Sequence, residues 1–423
     1  MWKLSSFFFL LVGFTSFGQY TWQWTELDTM PFRTANNAVC EAIVGGQDFV
    51  YSFGGIDVTK AYDGIHKRSF KYSVANNVWS EIAPLPDTEA KIASGASFVK
   101  DKIYILGGYH VYSNGNEISS DKVHIYNPAT DTYETDGTPI PLAIDDHVQC
   151  VYKDSLIYVV TGWSNNGNKP NVQIYNPSLD EWQVGTSVPN DFYFTAFGAS
   201  GHIIGDTLYY HGGASGGSFT ARSFMRKGYI DPADPKNITW TQMQDSPGDA
   251  GYRGACSGIG NTVFWVGGSP TSYNYNGIAY NGSGGVDPSA RILHFNSWNY
   301  QFADEINQPY GVMDLRGIAK LSGDRWIICG GMDTNQVVSN RTFLLENALV
   351  GQNKLTNASA SIKYGLNTVE LEFQDADETI LMTLEGKRIK VFDRSKTCSL
   401  SYSDFPRGVY LLIHNNQNIK IRL

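Results

Sequence analysis

The sequence contains little charge and little cysteine for its length. Charged residues make up 17% of its 423 residues, whereas about a quarter is usual. No run of lysines or arginines occurs and the formal net charge is −9, which argues against a nucleic-acid partner because phosphate binding requires a basic face. The five cysteines are an odd number, and we expect small buried hydrophobic residues rather than a disulfide framework.

Motifs that carry catalysis or metal binding are also missing. The sequence has no His-Glu-x-x-His, no Cys-x-x-Cys and no phosphate loop. Its glycine-rich stretches lack the lysine or the helix that a bound phosphate needs. We therefore predict no metal and no cofactor.

Pairs of glycines recur along the chain at intervals close to 50 residues. Each pair ends a short apolar run, which predicts a β-strand stopped by glycine. Self-similarity at this period is typical of propellers built from four-stranded blades. The pairs are Gly54-Gly55, Gly107-Gly108, Gly212-Gly213, Gly267-Gly268 and Gly330-Gly331, and a degenerate copy, Thr161-Gly162, fills the one gap.

Two further landmarks follow the glycine pairs and predict how the ring closes. Two aromatic residues, most often seven apart as in Tyr72 and Trp79, predict the outer strands of a blade, and a proline usually follows seven residues later. The step from Trp24 to Pro31 has the same length but precedes every glycine pair. Residues near 20–27 are therefore predicted to complete the blade formed by residues 316–346, which removes an open sheet edge.

Taken together, these spacings resemble the kelch-repeat family over about residues 20–346. The resemblance implies an all-β fold, a six-bladed kelch β-propeller closed by an N-terminal strand. Within it, Cys40, Cys150 and Cys256 would lie on innermost strands of alternate blades, too far apart to pair.

The first 18 residues have the pattern of a secretory signal peptide. Lys3 precedes a short apolar run, and the small residues Ser16 and Gly18 follow it. The run is too short to span a bilayer, so we predict no transmembrane segment in the mature chain, which would begin at residue 19.

The repeats end near residue 346, and residues 347–358 are predicted to be a linker. Short alternating runs in residues 359–423 predict a small β-sandwich domain. Two stretches, Leu384-Glu385-Gly386-Lys387 and Asp404 to Leu412, together with the basic strand at the C-terminus, resemble the C-terminal sorting domain of the type IX secretion system of Bacteroidetes. The resemblance implies export across both membranes, the type IX machinery as a partner of residues 359–423, and a secreted or cell-surface protein.

In a propeller, the connections entering the innermost strands open on the same face as the loops after the second strands, and such loops usually carry function. We predict that polar side chains there converge on a central funnel that suits an anionic or hydroxylated ligand. The same residue types also join neighbouring blades through ion pairs, and the sequence leaves both roles open. The predicted ligand-binding residues are Arg33, Lys91, Asp145, His147, Tyr193, Arg253 and Arg316, and the aromatic residues that could stack on a sugar are Tyr109, Trp163, Tyr273, Tyr275 and Tyr280.

The sequence favours a binding module for a glycan or for a surface or extracellular protein, with no catalytic residue assigned. The alternative is a carbohydrate-active enzyme, because bacterial sialic-acid epimerases are exported six-bladed kelch proteins. There, Arg253 or Arg316 would hold the substrate carboxylate, and His147 or Asp145 would move protons. A copper radical oxidase is disfavoured, because those kelch-type enzymes have seven blades and surround copper with two histidines, two tyrosines and a cysteine.

Overall fold

The computed structural model describes residues 20–349, 360–364, 368–383, 387–401, 404–405, 409–414 and 417–422. The predicted signal peptide and residues 350–358 of the predicted linker lie outside these ranges. Residues 347–349 do not form a linker but continue the strand Thr342–Leu349. One unit of the chain comprises Tyr20–Ala348, and the described residues from Leu349 onward belong to a second unit.

The first unit contains six sheets whose main path has four strands, which we call blades 1 to 6. Residues from the first strand of every blade, or from the connection entering it, line one central channel of about 340 Å³. In blades 1 to 5 the four strands follow one another along the chain. Blade 1 consists of Ala38–Val44, Gln47–Phe53, Ser69–Ser73 and Val78–Ile82; blade 2 of Gly95–Val99, Lys102–Leu106, Val123–Asn127 and Thr132–Tyr133; blade 3 of Val148–Tyr152, Leu156–Val160, Val172–Asn176 and Glu181–Val184; blade 4 of Phe197–Ile204, Thr207–Ser215, Met225–Asp231 and Asp234–Gln242; and blade 5 of Ala255–Ile259, Thr262–Val266, Arg291–Asn296 and Gln301–Ile306.

Blade 6 confirms the predicted closure of the ring. Its strands are Ala319–Lys320, Arg325–Cys329, Thr342–Leu349 and, as the fourth, the N-terminal strand Tyr20–Glu26. Trp22 on that strand is buried against Phe264 of blade 5 and Trp326 of blade 6, with ring centroids 4.8 and 5.4 Å away. The N-terminal strand therefore seals the boundary between the last two blades.

Hydrophobic clusters fill the spaces between neighbouring blades. Six such clusters lie among the described residues, one for each boundary, and a seventh lies beneath the loops on one face. At the boundary of blades 1 and 2, for example, Tyr51 and Phe53 pack against Tyr126 with ring centroids 5.6 and 5.7 Å away. The recurring aromatic residues thus stabilise each blade against the next.

The glycine pairs are required where blades approach one another. Gly267 has a φ of +64°, and a Cβ there would lie 2.0 Å from the carbonyl oxygen of Val312 in the next blade connection. Thr161 replaces the first glycine of its pair and is also left-handed, with a φ of +48°. Its hydroxyl donates to the carbonyl of Ala196 and accepts from the amide of Ala196 at 3.1 and 2.9 Å, which holds the strained residue in place.

Shorter elements occupy the connections between the blade strands. One more strand pairs with the second strand of blade 4, and two ribbons and two 3₁₀ turns follow glycine pairs. These elements are Thr220–Ala221, the ribbon Tyr109–Val111 with Glu117–Ser119, the ribbon Met332–Asp333 with Val337–Val338, and the turns Tyr62–Gly64 and Thr334–Gln336.

The second unit is one continuous five-stranded sheet rather than several short strands. The predicted strands at 368–373 and 379–384 are a single strand, Thr368–Thr383, whose register with Arg388–Ser401 shifts between Glu372 and Thr379. Side chains from both halves of this long strand share one apolar cluster, and the packing of two sheets as a sandwich stays a prediction. The strands are Ala360–Tyr364, Thr368–Thr383, Arg388–Ser401, Val409–His414 and Gln417–Arg422.

Candidate functional site

The face that carries the connections entering the innermost strands and the loops after the glycine pairs is called the loop face here. At its centre a ring of backbone hydrogen bonds passes from each blade to the previous one, with N···O distances of 2.8 to 3.4 Å. One left-handed residue per blade, with φ between 47° and 68°, forms this axial ring. Its six members are Asn36, Ala93, Asp146, Gly198, Arg253 and Asp314. Five of the bonds join one member to the next, and in blade 6 the amide of Leu315, next to Asp314, donates to the carbonyl of Arg253.

Three members of the axial ring carry charges, and their side chains pair with one another. Both Nε and Nη2 of Arg253 donate to the carboxylate of Asp146, at 3.1 and 2.5 Å, and Nη1 donates to Asp314 at 3.1 Å. Arg316 lies beside them, with Nη1 3.6 Å from Asp146 and Nη2 donating to the carbonyl of His147 at 2.8 Å. All four charged side chains are buried. We call them the central ion-pair cluster.

The electrostatics of the cluster keep Arg253 charged. Burial alone lowers the pKa of Arg253, but the attractions of Asp146, Tyr252, Tyr109 and Asp314 together outweigh it, and the pKa lies well above its usual value. Burial raises the pKa of Asp314 to about 6, and the pair with Arg253 only partly offsets this shift. With both aspartates ionised, two cations face two anions, so the cluster presents no excess positive charge to an anionic ligand.

Two further carboxyl groups lie near the cluster. Burial, and then repulsion by Asp146, raise the pKa of Asp145 well above its usual value, and the hydroxyl of Ser119 lies 2.6 Å from its Oδ2. Burial also raises the pKa of Glu117, which is only partly buried. Both groups therefore tend towards the neutral form, which preserves the charge balance of the cluster.

The aromatic residues that are predicted to line an open funnel are packed together at the centre of the loop face. Tyr109 and Tyr273 are buried in the hydrophobic cluster beneath the loops, and Trp163, Tyr275 and Tyr280 pack against that cluster while remaining partly accessible. The Arg253 guanidinium lies 5.2 and 5.5 Å from the ring centroids of Tyr252 and Tyr273, and Arg253 is only 1% exposed.

The structure brings four of the seven predicted residues together and places three elsewhere. Asp145, Arg253 and Arg316 belong to the centre just described, and His147 lies beside Arg316 with Nε2 2.9 Å from Gln149 Oε1. Burial, and then the charge of Arg316, lower the pKa of His147 to about 4, so that it is neutral at pH 7. His147 and Arg316 also line the central channel.

The other three predicted residues lie outside the central cluster and contact residues in or near the connections between blades. Lys91 is buried and contacts Asp87 and His124 Nε2 at 3.0 and 2.9 Å. Arg33 donates to the carbonyl of Val338 at 3.4 Å. The ring of Tyr193 is half exposed and packs against Phe192 and Phe224. Ligand binding by the seven residues stays a prediction. The contacts described for Tyr193 lie within blade 4 and its connections.

Sequence reasoning missed Asp314 and Glu117 and did not assign Asp146 a role. The prediction treats Arg253, Arg316 and His147 as equivalent, because each stands fourteen positions before Gly267, Gly330 or Thr161. The turn within the inner hairpin has two residues in blade 5 but three in blade 3 and four in blade 6. The residues equivalent to Arg253 are therefore Asp146 and Asp314 rather than His147 and Arg316. The unequal hairpin lengths are the signal that could have found them.

One stretch, Gly213 to Gly217, fits the pattern Gly-x-Ser-x-Gly of serine hydrolases. The hydroxyl of its Ser215 is buried, donates to the carbonyl of Phe192 at 2.8 Å and accepts from Arg222 Nε at 3.3 Å. These contacts assign Ser215 a structural role. Within the described ranges, no group of histidine, cysteine or acidic side chains is arranged to hold a metal ion, and no helix has the length and apolarity of a membrane span.

Comparison with known proteins identifies the class of this fold. Residues 93–136 match the family model "Kelch motif", which begins at the axial-ring residue of blade 2 and continues past its outermost strand. The solved structure of YjhT superimposes with a TM-score of 0.60 over 82% of this chain and 99% of that chain, at 15% sequence identity. Residues 20–348 therefore form a kelch-repeat β-propeller.

Individual relatives resemble only part of the chain. The chain is 26% identical over 195 residues to a kelch-like protein, terF, of Aspergillus terreus, which covers 44% of this chain and 40% of the relative. It is 24% identical over 253 residues to the N-acetylneuraminate epimerase of Haemophilus influenzae, which covers 58% of each. The alignments leave more than a third of these relatives' own length unmatched.

Proposed function

We propose that the protein is an exported or cell-surface binding module that engages a glycan or an extracellular protein through the loop face of its propeller. The observation that carries the proposal is the presence of exposed apolar side chains in five separate loop-face connections. Eight large ones are exposed in loop-face connections, between 37% and 55%. They are Val58, Tyr62, Tyr112, Ile118, Phe192, Tyr193, Ile278 and Val337.

The filled centre of the loop face supports a large partner over a small one. A small ligand requires a concave pocket that encloses most of its surface, and the aromatic rings packed against Arg253 leave none there. Exposed aromatic and aliphatic side chains on loops held by a rigid ring are the usual anchors of a macromolecular interface. Export through the predicted signal peptide and the type IX machinery belongs to the same proposal and rests on the sequence resemblance.

A double substitution on the loop face tests this function. The purified full chain is screened on a glycan array and against extracellular protein fractions, and each hit is purified for titration. Ile118→Ser combined with Tyr193→Ser should weaken binding at least about tenfold, which corresponds to about 1.4 kcal/mol. Leu179→Ser, in a turn of blade 3 on the opposite face and 60% exposed, is the matched control. Equal affinities of the double variant and the wild type would contradict the proposal.

The alternative function, a sialic-acid epimerase, is favoured by one observation, the similarity to the Haemophilus influenzae epimerase. The central ion-pair cluster weighs against it, because both sides of the Arg253 guanidinium are already taken by aspartates. A mutarotation assay with N-acetylneuraminate, run on the same preparation, separates the two functions. Turnover that Arg316→Met abolishes would establish the enzyme in place of the binding module.

A further inference from the structure

Five of the six blade boundaries are closed at their outer edge by the same device. An aromatic residue of an outermost strand reaches across and hydrogen-bonds to the preceding blade or to the connection that leaves it. The five contacts are Trp24 Nε1 to Gln308 Oε1 at 2.9 Å, Trp79 Nε1 to the Asp28 carbonyl at 3.2 Å, Tyr133 OH to Ser69 Oγ at 3.2 Å, Trp182 Nε1 to the Thr138 carbonyl at 2.8 Å and Trp240 Nε1 to the Thr186 carbonyl at 2.8 Å.

The boundary between blades 4 and 5 lacks this closure because its residue is Phe302, which has no polar hydrogen to donate. The carbonyls that accept from Trp79, Trp182 and Trp240 belong to residues three positions before a proline. At the same offset before Pro247 stands Gln244. Phe302 and Gln244 do not join across the boundary but line a groove of about 250 Å³ between the two blades.

The walls of the groove differ in chemistry. The rings of Tyr300 and Phe302 form one wall, both packed on the buried Phe295 with centroids 6.1 and 5.0 Å away. Thr241 and Gln244 supply a hydroxyl and an amide group on the other side, whereas Gln242 pairs with Arg226 and its side chain points to the opposite face of the blade.

A cation lies at the groove beside the aromatic wall. Lys227 lines it, and its Nζ lies 3.2 Å from the hydroxyl of Tyr300. The groove thus combines an aromatic platform with amide, hydroxyl and ammonium groups, all capable of hydrogen bonding.

We infer that this groove binds a saccharide. A sugar ring has an apolar C–H face and a rim of hydroxyl groups, which match an aromatic wall facing an amide and a lysine. The volume of about 250 Å³ lies just below the range for drug-sized small-molecule sites, about 300–1,000 Å³, and suits a single ring. This site is separate from the loop face and does not depend on the function proposed for that face.

Neighbouring side chains extend the groove into a surface for a longer chain of sugars. Trp298, in the same turn as Tyr300, is 79% exposed, an unusual position for so large an apolar side chain. Tyr229, two residues after Lys227 on the same strand and therefore on the same side of the sheet, is 49% exposed. Exposed rings on both sides of the groove favour an oligosaccharide over a free monosaccharide.

The test titrates the full chain with fluorescently labelled hexasaccharides of β-1,4-linked glucose, xylose, mannose and N-acetylglucosamine. We expect at least one to bind with a dissociation constant of about 10 µM to 1 mM. Tyr300→Ala should weaken this binding at least tenfold. Val78→Ala, which removes a comparably exposed apolar side chain from the outermost strand of blade 1, away from the groove and the loop face, should leave it unchanged.

Phe302→Trp separates binding from folding. The new indole should fill the groove and donate to the carbonyl of Gln244, so that hexasaccharide binding is lost while the melting temperature is kept or raised. The proposal is overturned if none of the four hexasaccharides binds, or if Tyr300→Ala and Phe302→Trp bind as the wild type does. Binding lost only in Ile118→Ser/Tyr193→Ser would overturn the groove and leave the function proposed for the loop face intact.

Discussion

The centre of the loop face and the outer edge between blades 4 and 5 are both places where blades meet, and they are filled in opposite ways. At the centre, Arg253 is surrounded by two carboxylates and packed against aromatic rings. At the edge, one residue without a polar hydrogen leaves an opening where five other boundaries are closed. The sequence predicts the charged residues at the centre as a ligand site, yet in the structure they form ion pairs between blades. Phe302 is not predicted as a site residue, yet it lines a groove.

This difference suggests how a repeat protein divides scaffold from site. Residues that recur at equivalent positions, such as the indoles of Trp182 and Trp240, meet the same structural demand in every blade. Where the recurring residue is replaced, the side chain no longer forms the hydrogen bond across the boundary. The space that it leaves is open to a ligand. Departures from the repeat are therefore better guides to function here than charged residues near the axis.

The largest effect is expected from removing the cation at the centre. Arg253→Met leaves the buried Asp314 without its cation and Asp146 with only the more distant Arg316, 3.6 Å away. Breaking a buried pair in this way costs about 3–5 kcal/mol of unfolding free energy. Urea unfolding measures the loss, and adding Asp146→Asn and Asp314→Asn should recover much of it. The exposed pair of Arg68 and Glu81 is the control, because Arg68→Met should cost less than about 1 kcal/mol.

The same variant decides between the two roles that the sequence leaves open for Arg253. A ligand-binding arginine can be replaced without loss of stability, whereas a blade-joining arginine cannot. An Arg253→Met protein that unfolds at the wild-type urea concentration would contradict the structural role and restore the predicted funnel site.

Much of the fold could be predicted from the sequence because each blade repeats the same three landmarks. The N-terminal strand was recognisable because Trp24 and Pro31 have the spacing of an outer strand without a glycine pair before them. The continuous strand Thr368–Thr383 could not be predicted, because a register shift between Glu372 and Thr379 depends on pairing with Arg388–Ser401. Irregularities of this kind arise from strand pairing rather than from the local pattern of residues.

The candidate site was harder to predict than the fold. A fixed offset of fourteen residues pointed to His147 and Arg316, because inner hairpins of different length are invisible when only the glycine pairs are aligned. The groove could not be predicted either. Phe302 is visible as a substitution for tryptophan, but its meaning depends on knowing that the other indoles donate to carbonyls of the previous connection.

A moderate effect is expected from pH, at the inner part of the same boundary between blades 4 and 5. His211 is buried there, with Nε2 2.8 Å from Ser246 Oγ, and burial followed by the charge of Arg291 lowers its pKa to about 3. The unfolded chain has a histidine pKa of about 6.5, so the stabilising effect of neutral His211 is complete above that value and is lost as the pH falls towards 3.

Between pH 7 and pH 5, His211 should therefore lower the unfolding free energy by about 2 kcal/mol, since each pKa unit corresponds to about 1.4 kcal/mol. His211→Gln keeps a partner for Ser246 but cannot gain the proton. Urea unfolding at the two pH values should show a smaller loss in this variant than in the wild type. Equal losses of unfolding free energy in the two proteins would contradict the lowered pKa of His211. They would show that water reaches the inner part of the boundary as it reaches the groove.

The smallest effect is expected from opening a boundary that is closed. Trp182→Phe removes the hydrogen bond to the Thr138 carbonyl at the boundary of blades 2 and 3 and so reproduces the pair of Phe302 and Gln244. The loss of one such hydrogen bond should cost about 0.5–1.5 kcal/mol, in addition to the smaller area that phenylalanine buries. Thermal unfolding measures this cost, and Trp298→Phe, whose exposed indole is not at a closed boundary, should leave the melting temperature unchanged. Because the wall opposite Trp182 has Thr138 where blade 4 has Gln244, Trp182→Phe should open a groove without creating saccharide binding. Hexasaccharide binding at this second boundary would show that an open cleft is sufficient and that the amide of Gln244 contributes nothing to recognition.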